Sequence, residues 1–223
     1  MAQNSTLFAL LVALVAAYFM FGGSSGAGGD GTVIDGLSFP ASLRMGYVDQ
    51  QLTGGGTRTK YGVAKVYAVA LYIDAAGAAS SLKKFAGKAA PKQPKFYAAL
   101  IDGTFARTLA LQFHRSVSSD AMIGALDEAM AKRLPADTVT KFREALLKAL
   151  GTGAIAKGAQ IYFMCKASTL SIGSGSPSAS VSLKAKGVCP ALFDTYYGKS
   201  PVSPAAKEGA AVGFASRGLY QEK

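Results

Sequence analysis

Residues 54–74 constrain the fold of this chain more than any other part of the sequence. The segment begins with a glycine run, which predicts a flexible stretch, and then passes two cations before a long apolar run at residues 63–73. Because that run is rich in β-branched and aromatic side chains, it predicts a long strand. Such a strand would place Arg58, Lys65 and Tyr67 beside a hydrophobic wall. Cations, a phenol and an apolar surface are together what is needed to hold an amphipathic acid.

The composition predicts one globular domain with anionic partners. A length of 223 residues suits a single core, and the apolar half of the residues excludes disorder of the whole chain. The net charge is +11, which favours an acidic membrane surface, an acidic ligand or nucleic acid. A nucleic-acid footprint would cluster its cations on one element, whereas these are scattered along the chain. We therefore predict no nucleic-acid partner.

The residues that usually carry metal or nucleophilic chemistry are few. Cys165 and Cys189 cannot build a disulfide framework, and no zinc-ligand spacing is present. The single histidine, His114, lies on a predicted strand, where a structural role is the more common one. Any Ser-His-Asp or Cys-His centre would rest on that residue alone. The sequence thus predicts no metal and no cofactor, and we assign no residue a catalytic role.

The N-terminus is predicted to be a separate targeting segment. Residues 7–21 are an unbroken apolar run, followed by a glycine- and serine-rich stretch. At ~1.5 Å per residue the run would form a helix of roughly 22 Å, shorter than the ~30 Å hydrocarbon core of a bilayer. That length suits a signal peptide, with Ser25 and Ala27 placed for cleavage, although no Lys or Arg precedes the run. An uncleaved membrane anchor is the alternative. In both cases the segment would target the protein to a membrane. The destination would be the secretory pathway and the extracytoplasmic side, or a plastid if the leader is bipartite.

The rest of the chain mixes predicted strands and helices. The predicted strands cover residues 33–39, 63–73, 96–101, 105–115, 160–166, 169–172 and 179–184, the third and fourth being joined by a turn at Asp102-Gly103. The predicted helices are a weak one at 75–87, one capped by Ser118 or Ser119 and broken by Pro135, one ending at Gly151, a short one at 191–196 and one capped by Ser203. This order predicts an α+β fold in which helices cover an antiparallel sheet. A cleft between the two layers is the expected ligand site.

Three segments in this order resemble the chalcone isomerase family: residues 54–74, 109–134 and 192–207. The most specific pieces are Arg58 followed by Lys65-Val66-Tyr67-Ala68, and Tyr197-Gly198-Lys199 followed by Val202-Ser203-Pro204-Ala205-Ala206-Lys207. The resemblance implies an open-faced β-sandwich, in which helices cover one face of a large antiparallel sheet. It spans roughly residues 32–216, so we divide the chain into a targeting segment with its linker at 1–31 and a chalcone isomerase-like domain at 32–223.

The family contains true isomerases, which close a flavanone ring, and isomerase-like proteins, some of which bind fatty acids in the equivalent cleft. True isomerases carry a Tyr and an Asn beside the helix after the central strand, whereas residues 117–125 contain neither. The one asparagine of the chain, Asn4, lies in the targeting segment. The threonine that polarises the ketone in the isomerases is replaced by Tyr67. Arg58 with Tyr67 resembles the fatty-acid-binding branch, where this pair holds the ligand carboxylate.

The resemblance therefore predicts a non-catalytic protein that binds a fatty acid or a similar hydrophobic carboxylate. Arg58 and Tyr67 are the predicted carboxylate ligands, and Thr195 occupies the position of a cleft threonine in the isomerases. Tyr72 and Tyr97 are candidates for the pocket wall. Two alternatives stay open: an isomerase of the intramolecular lyase type with an unknown substrate, and a structural or interaction module whose cleft is filled by its own side chains.

Overall fold

A large antiparallel sheet organises the computed structural model of the protein, which describes residues 31–86 and 92–220. The strands are β1 (Thr32–Ile34), β2 (Leu37–Phe39), β3 (Ser42–Met45), β4 (Val48–Lys60), β5 (Ala64–Ile73), β6 (Arg107–Phe113), β7 (Val117–Ser118), β8 (Ala154–Ile155), β9 (Gln160–Lys166), β10 (Thr169–Ser174) and β11 (Val181–Lys184). Seven of them form the main sheet in the order β11-β10-β9-β6-β5-β4-β3. The pairs β1–β2 and β7–β8 are separate two-stranded ribbons.

Helices cover one face of this sheet and complete an α+β fold. They are α1 (Ala75–Leu82) with a 3-10 turn after it (Lys83–Phe85), α2 (Pro94–Asp102), α3 (Ser119–Ala131), α4 (Ala136–Leu150), α5 (Val188–Tyr197) and α6 (Pro204–Ser216). The predicted caps are confirmed, because the hydroxyls of Ser118 and Ser203 accept backbone N–H bonds at the starts of α3 and α6. The predicted stop is confirmed as well, since α4 is terminated by Gly151, which follows its last residue and has a positive φ.

The two faces of β5 belong to different apolar clusters. Val69, Leu71 and Ile73 pack against the helices in the larger cluster. The alternate residues Ala70 and Tyr72 lie on the opposite face, with side chains of β3 and the β2 end. This alternation shows that the long predicted strand is buried on both faces.

The glycine run is not a flexible stretch, which corrects the sequence-based prediction. It lies within β4, and α6 crosses over it at very short distance. A methyl group on Gly54 would lie 2.2 Å from the carbonyl oxygen of Gly209, and one on Gly213 would lie 1.7 Å from the carbonyl oxygen of Thr53. The glycines therefore allow α6 to pack closely on β4, because they have no side chain that would keep the two backbones apart.

The predicted strand at residues 96–101 is wrong, because this segment is α2. Its buried residues Phe96, Tyr97 and Leu100 follow helical spacing, and Pro94 stands in the first turn. The fully buried Arg107 completes the end of this helix, since its Nη2 donates to the carbonyl of Ile101 at 2.8 Å and its Nη1 to that of Gly103. Burial lowers the pKa of Arg107 to about 10.

The predicted strand at residues 33–39 is two short strands, β1 and β2, separated by a turn at Asp35 and Gly36, which both have positive φ. The other predicted strands and helices are confirmed, with shifts at their ends. One connection was not predicted: Cys165 of β9 and Cys189 of α5 form a disulfide. No helix in the ranges 31–86 and 92–220 is long and apolar enough to cross a membrane. The apolar run at residues 7–21 lies outside the described residues.

Candidate functional site

Arg58 and Tyr67 meet because they are direct partners across β4 and β5. Side chains opposite each other in an antiparallel pair point to the same face, here the face covered by helices. The Arg58 guanidinium carbon lies 5.5 Å from the centre of the Tyr67 ring, within the range of a cation–π contact. The two residues predicted as carboxylate ligands are therefore adjacent.

The Tyr67 hydroxyl is held from the helix side by Tyr196. The two phenol oxygens lie 3.0 Å apart, and both side chains are almost completely buried. Tyr67 also packs against Phe113 of β6, with ring centres 5.4 Å apart. Strand, sheet core and helix thus fix the position of one hydroxyl group, which is the kind of support that a preorganised binding group needs.

Both tyrosines are neutral hydrogen-bonding groups at physiological pH. Burial raises the pKa of Tyr67, and the charge of Arg58 with hydrogen bonds from Tyr196 and Arg58 only partly opposes this. Burial also raises the pKa of Tyr196 well above its ordinary value, with a further contribution from Tyr67. Each phenol therefore keeps its proton, and one hydroxyl donates to the other.

The positive charge of Arg58 is not neutralised by a neighbouring acid. The guanidinium is half-buried and forms no ion pair with any carboxylate in the described parts of the chain. An arginine fork without a carboxylate partner, beside a buried phenol, is a suitable receptor for an anionic oxygen pair.

The other predicted residues lie apart from this pair or are already occupied. Lys65 binds Asp35 at 2.8 Å, because a register shift after Arg58 interrupts the regular alternation of β4 and β5. Thr195 is buried in α5 and donates to the carbonyl of Ala191 at 2.9 Å. Tyr72 lies on the opposite sheet face, where its hydroxyl donates to Pro40, so it cannot line the same wall.

The cavities on the described part of the structure include three of about 580, 500 and 460 Å³. Neither Arg58 nor Tyr67 lies in their walls. Next to Arg58, the space between sheet and helices is filled by Tyr67, Phe113 and Tyr196. No group of three or more His, Cys, Asp or Glu side chains within the described ranges is placed to hold a metal ion.

Comparison with known proteins identifies the family. A family model described as chalcone isomerase-like matches residues 31–209. The chain belongs to the chalcone isomerase-like family. None of the curated protein sequences matches this family member.

Among solved structures, the chalcone isomerase-like chain is similar to the crystal structure of a fatty-acid binding protein from Arabidopsis thaliana. The TM-score is 0.69 at 20% sequence identity, over 83% of this chain and 99% of the plant protein. At 20% sequence identity, this similarity shows that the two proteins share a fold. The predicted family and the predicted open-faced sheet covered by helices are therefore confirmed.

One residue of the site escaped sequence analysis. The sequence predicts a short helix at residues 191–196 but assigns Tyr196 no role, whereas Tyr196 is the residue of α5 that contacts Tyr67. The signal was its position directly after Thr195, which the family resemblance had selected. Nothing in local sequence distinguishes the two, because the choice depends on which side of the helix faces the sheet.

Proposed function

We propose that this chalcone isomerase-like protein binds a fatty acid or a similar hydrophobic carboxylate without turning it over. Arg58 and Tyr67 would hold the carboxylate. The observation that carries the proposal is the guanidinium of Arg58, which has no carboxylate partner among the described residues, beside the buried hydroxyl of Tyr67. The fatty-acid binding protein with the same fold supports the choice of ligand class.

The two side chains supply complementary hydrogen bonds to a carboxylate. The guanidinium offers a planar pair of N–H donors, and the Tyr67 hydroxyl becomes a third donor once its bond to Tyr196 has opened. Hydrogen bonds to a charged partner contribute about 1.5–3 kcal/mol each. Burial of the tail would add ~0.8 kcal/mol per CH₂ group, so the tail contributes most of the affinity of a long-chain acid.

The ligand-free state must rearrange to admit this tail. Tyr67, Tyr196 and Phe113 occupy the space beside Arg58, so the tail would enter between α5 and the sheet after the bond between the two tyrosines opens. Loss of one neutral hydrogen bond costs about 1 kcal/mol, which a bound carboxylate offsets. Thr195 stays a predicted third contact, on condition that its hydroxyl leaves the carbonyl of Ala191.

Ligand titration of the full chain with native mass spectrometry and thermal melting tests the proposal. We expect saturable binding of dodecanoate by the wild type. Binding at the Arg58 site, as distinct from any acid bound elsewhere on the chain, should weaken at least tenfold in Arg58→Ala and about fivefold in Tyr67→Phe. Arg44→Ala is the matched control, because Arg44 is an exposed cation paired with Asp49 in the β3–β4 hairpin. Equal binding by Arg58→Ala and Arg44→Ala would reject the site.

A structural or interaction module is the second candidate, and the filled space beside Arg58 favours it. It predicts that no acid raises the melting temperature at any concentration and that none co-purifies with the chain. The isomerase alternative predicts chalcone turnover above the spontaneous rate that disappears in Arg58→Ala. We expect no such turnover, since residues 117–125 lack the Tyr and Asn of the isomerases.

For the cellular location we propose an extracytoplasmic or organellar compartment reached through residues 1–31. The buried disulfide between Cys165 and Cys189 supports an oxidising environment. The net charge of +11 would favour contact with an acidic membrane surface. A reporter fused after residue 31 should enter a protease-protected compartment, and a cytosolic, protease-sensitive reporter would contradict the proposal.

A further inference from the structure

The largest of the three cavities, about 580 Å³, lies between α2, the end of α5 and the start of α6. Its volume is within the usual range of small-molecule sites. The α2 wall is apolar and partly exposed, with Ala98 and Ile101 facing the opening. We call this cavity the α2–α5 groove. Neither Arg58 nor Tyr67 lines this groove.

Three cations surround the groove: Lys92, Lys199 and Lys207. The Lys207 ammonium donates one hydrogen bond to the carbonyl of Gly198 at 2.7 Å and lies 4.4 Å from the centre of the Tyr97 ring. An ammonium group has three donors, so this contact fixes its position and leaves donor capacity for a ligand. The ammonium is thus held at the groove rather than extended into solvent.

The carboxylate in the groove wall does not cancel these cations. Asp194 accepts a bond from Nε of Arg133 at 2.6 Å, so its charge is compensated from outside the groove. Three lysines therefore act on a cavity with a mainly apolar α2 wall. This combination fits a molecule with one anionic end and an apolar body.

Tyr197 lines the groove and carries a buried hydroxyl whose hydrogen-bonding capacity is unused within the described part of the chain. Tyr197 is 1% exposed, and its hydroxyl has no hydrogen-bond partner in the described residues. Burial raises the pKa of this hydroxyl, which therefore remains a donor. A buried polar atom without a partner carries a desolvation cost that a ligand oxygen would remove.

We propose that the α2–α5 groove is a second ligand site, which binds a single-chain carboxylic acid independently of Arg58. The carboxylate contacts Lys207 and, after a shift of the Tyr197 ring towards the groove, the buried Tyr197 hydroxyl, and the tail lies along Ala98 and Ile101. Lys92 and Lys199 attract the anion to the opening. This site adds a second acid per chain and does not depend on the proposed role of the Arg58–Tyr67 pair.

A photoreactive dodecanoate with a diazirine in its tail tests the groove in the full-length protein. After irradiation, labelled peptides are mapped by mass spectrometry. We expect labels on α2 and the end of α5, reduced at least tenfold in Ala98→Trp, which fills the groove from an exposed position. Ala125→Trp places the same side chain on an exposed part of α3 and should leave the labelling unchanged. Arg58→Ala should also preserve it.

Tyr197→Phe separates ligand binding from structural support. Groove labelling should fall about fivefold, because one hydrogen bond to the acid is lost. The melting temperature should stay equal or rise, because a buried hydroxyl without a partner has been removed. Absence of groove labels, or groove labels that persist equally in Ala98→Trp, would overturn the proposal. Labels confined to β4 and β5 would reject the groove while supporting the Arg58 site.

Discussion

The phenol oxygens of Tyr67 and Tyr196 lie 3.0 Å apart, although the residues are separated by 129 positions in the sequence. This bond joins the central strand β5 to α5 across the core, next to the guanidinium of Arg58. It closes the space between sheet and helices where the proposed acid would bind. The same contact therefore stabilises the ligand-free state and must open for the ligand.

Because the Tyr67 and Tyr196 hydroxyls bond to each other, the effects of removing them on the free energy of unfolding should be strongly coupled. Tyr196→Phe leaves the buried Tyr67 hydroxyl without this partner, so the free energy of unfolding should fall by about 1–3 kcal/mol. The double variant Tyr67→Phe/Tyr196→Phe removes both hydroxyls and should be closer to wild type than the sum of the single variants. Urea denaturation of all four proteins measures the coupling. Additive losses would show that the bond contributes nothing.

Stability should decrease at alkaline pH because of the same pair. Burial raises the pKa values of Tyr67 and Tyr196 in the folded state, whereas an unfolded tyrosine ionises near pH ~10. Above that pH the unfolded chain releases protons that the folded chain retains, so the free energy of unfolding falls as pH rises. Below that pH the contribution of the pair is complete. Between pH 8 and 11, the urea midpoint should fall more steeply in wild type than in Tyr67→Phe/Tyr196→Phe. Parallel curves would show that this tyrosine pair does not cause the alkaline loss of stability.

Local sequence was sufficient to predict the elements whose pattern of apolar residues fits only a strand or only a helix, or whose ends carry a capping residue. The apolar run of β5 and the serine caps of α3 and α6 specify their structures without distant partners. Residues 96–101 were misassigned because a short apolar run suits a strand and a buried helix equally. Pro94 at the helix start was the local signal that would have corrected the assignment.

The remaining features depend on contacts between distant residues. A glycine run resembles a linker until the helix that packs on it is known, and α6 begins 148 positions after Gly56 at Pro204. Arg58 and Tyr67 were found through a family resemblance, because cation and tyrosine alone also suit a solvated strand end. Tyr196 was missed since only the packing of α5 decides which of its residues reaches the sheet.

The Cys165–Cys189 disulfide should contribute about 3 kcal/mol to stability, because it closes a loop across a sequence separation of 24 residues. It attaches the first turn of α5, the helix that carries Tyr196, to the sheet. Reduction should therefore lower the urea midpoint of the wild type. Cys165→Ala/Cys189→Ala should be less stable and unaffected by reductant. Two reactive thiols in the denatured, unreduced protein would show that the bond is absent.

The contact of α6 with the glycine run should tolerate no added methyl group. In Gly209→Ala the new carbon would lie 1.9 Å from the carbonyl oxygen of Gly55, so helix and strand must separate, at a cost of about 2–4 kcal/mol. Gly124→Ala is the matched control, since this helical glycine of α3 has no atom within 4 Å of the added carbon. It should raise stability by about 0.5–1 kcal/mol through helix propensity. Thermal and urea denaturation should thus shift in opposite directions, and similar shifts in the two variants would mean that α6 does not pack on β4 as closely as described.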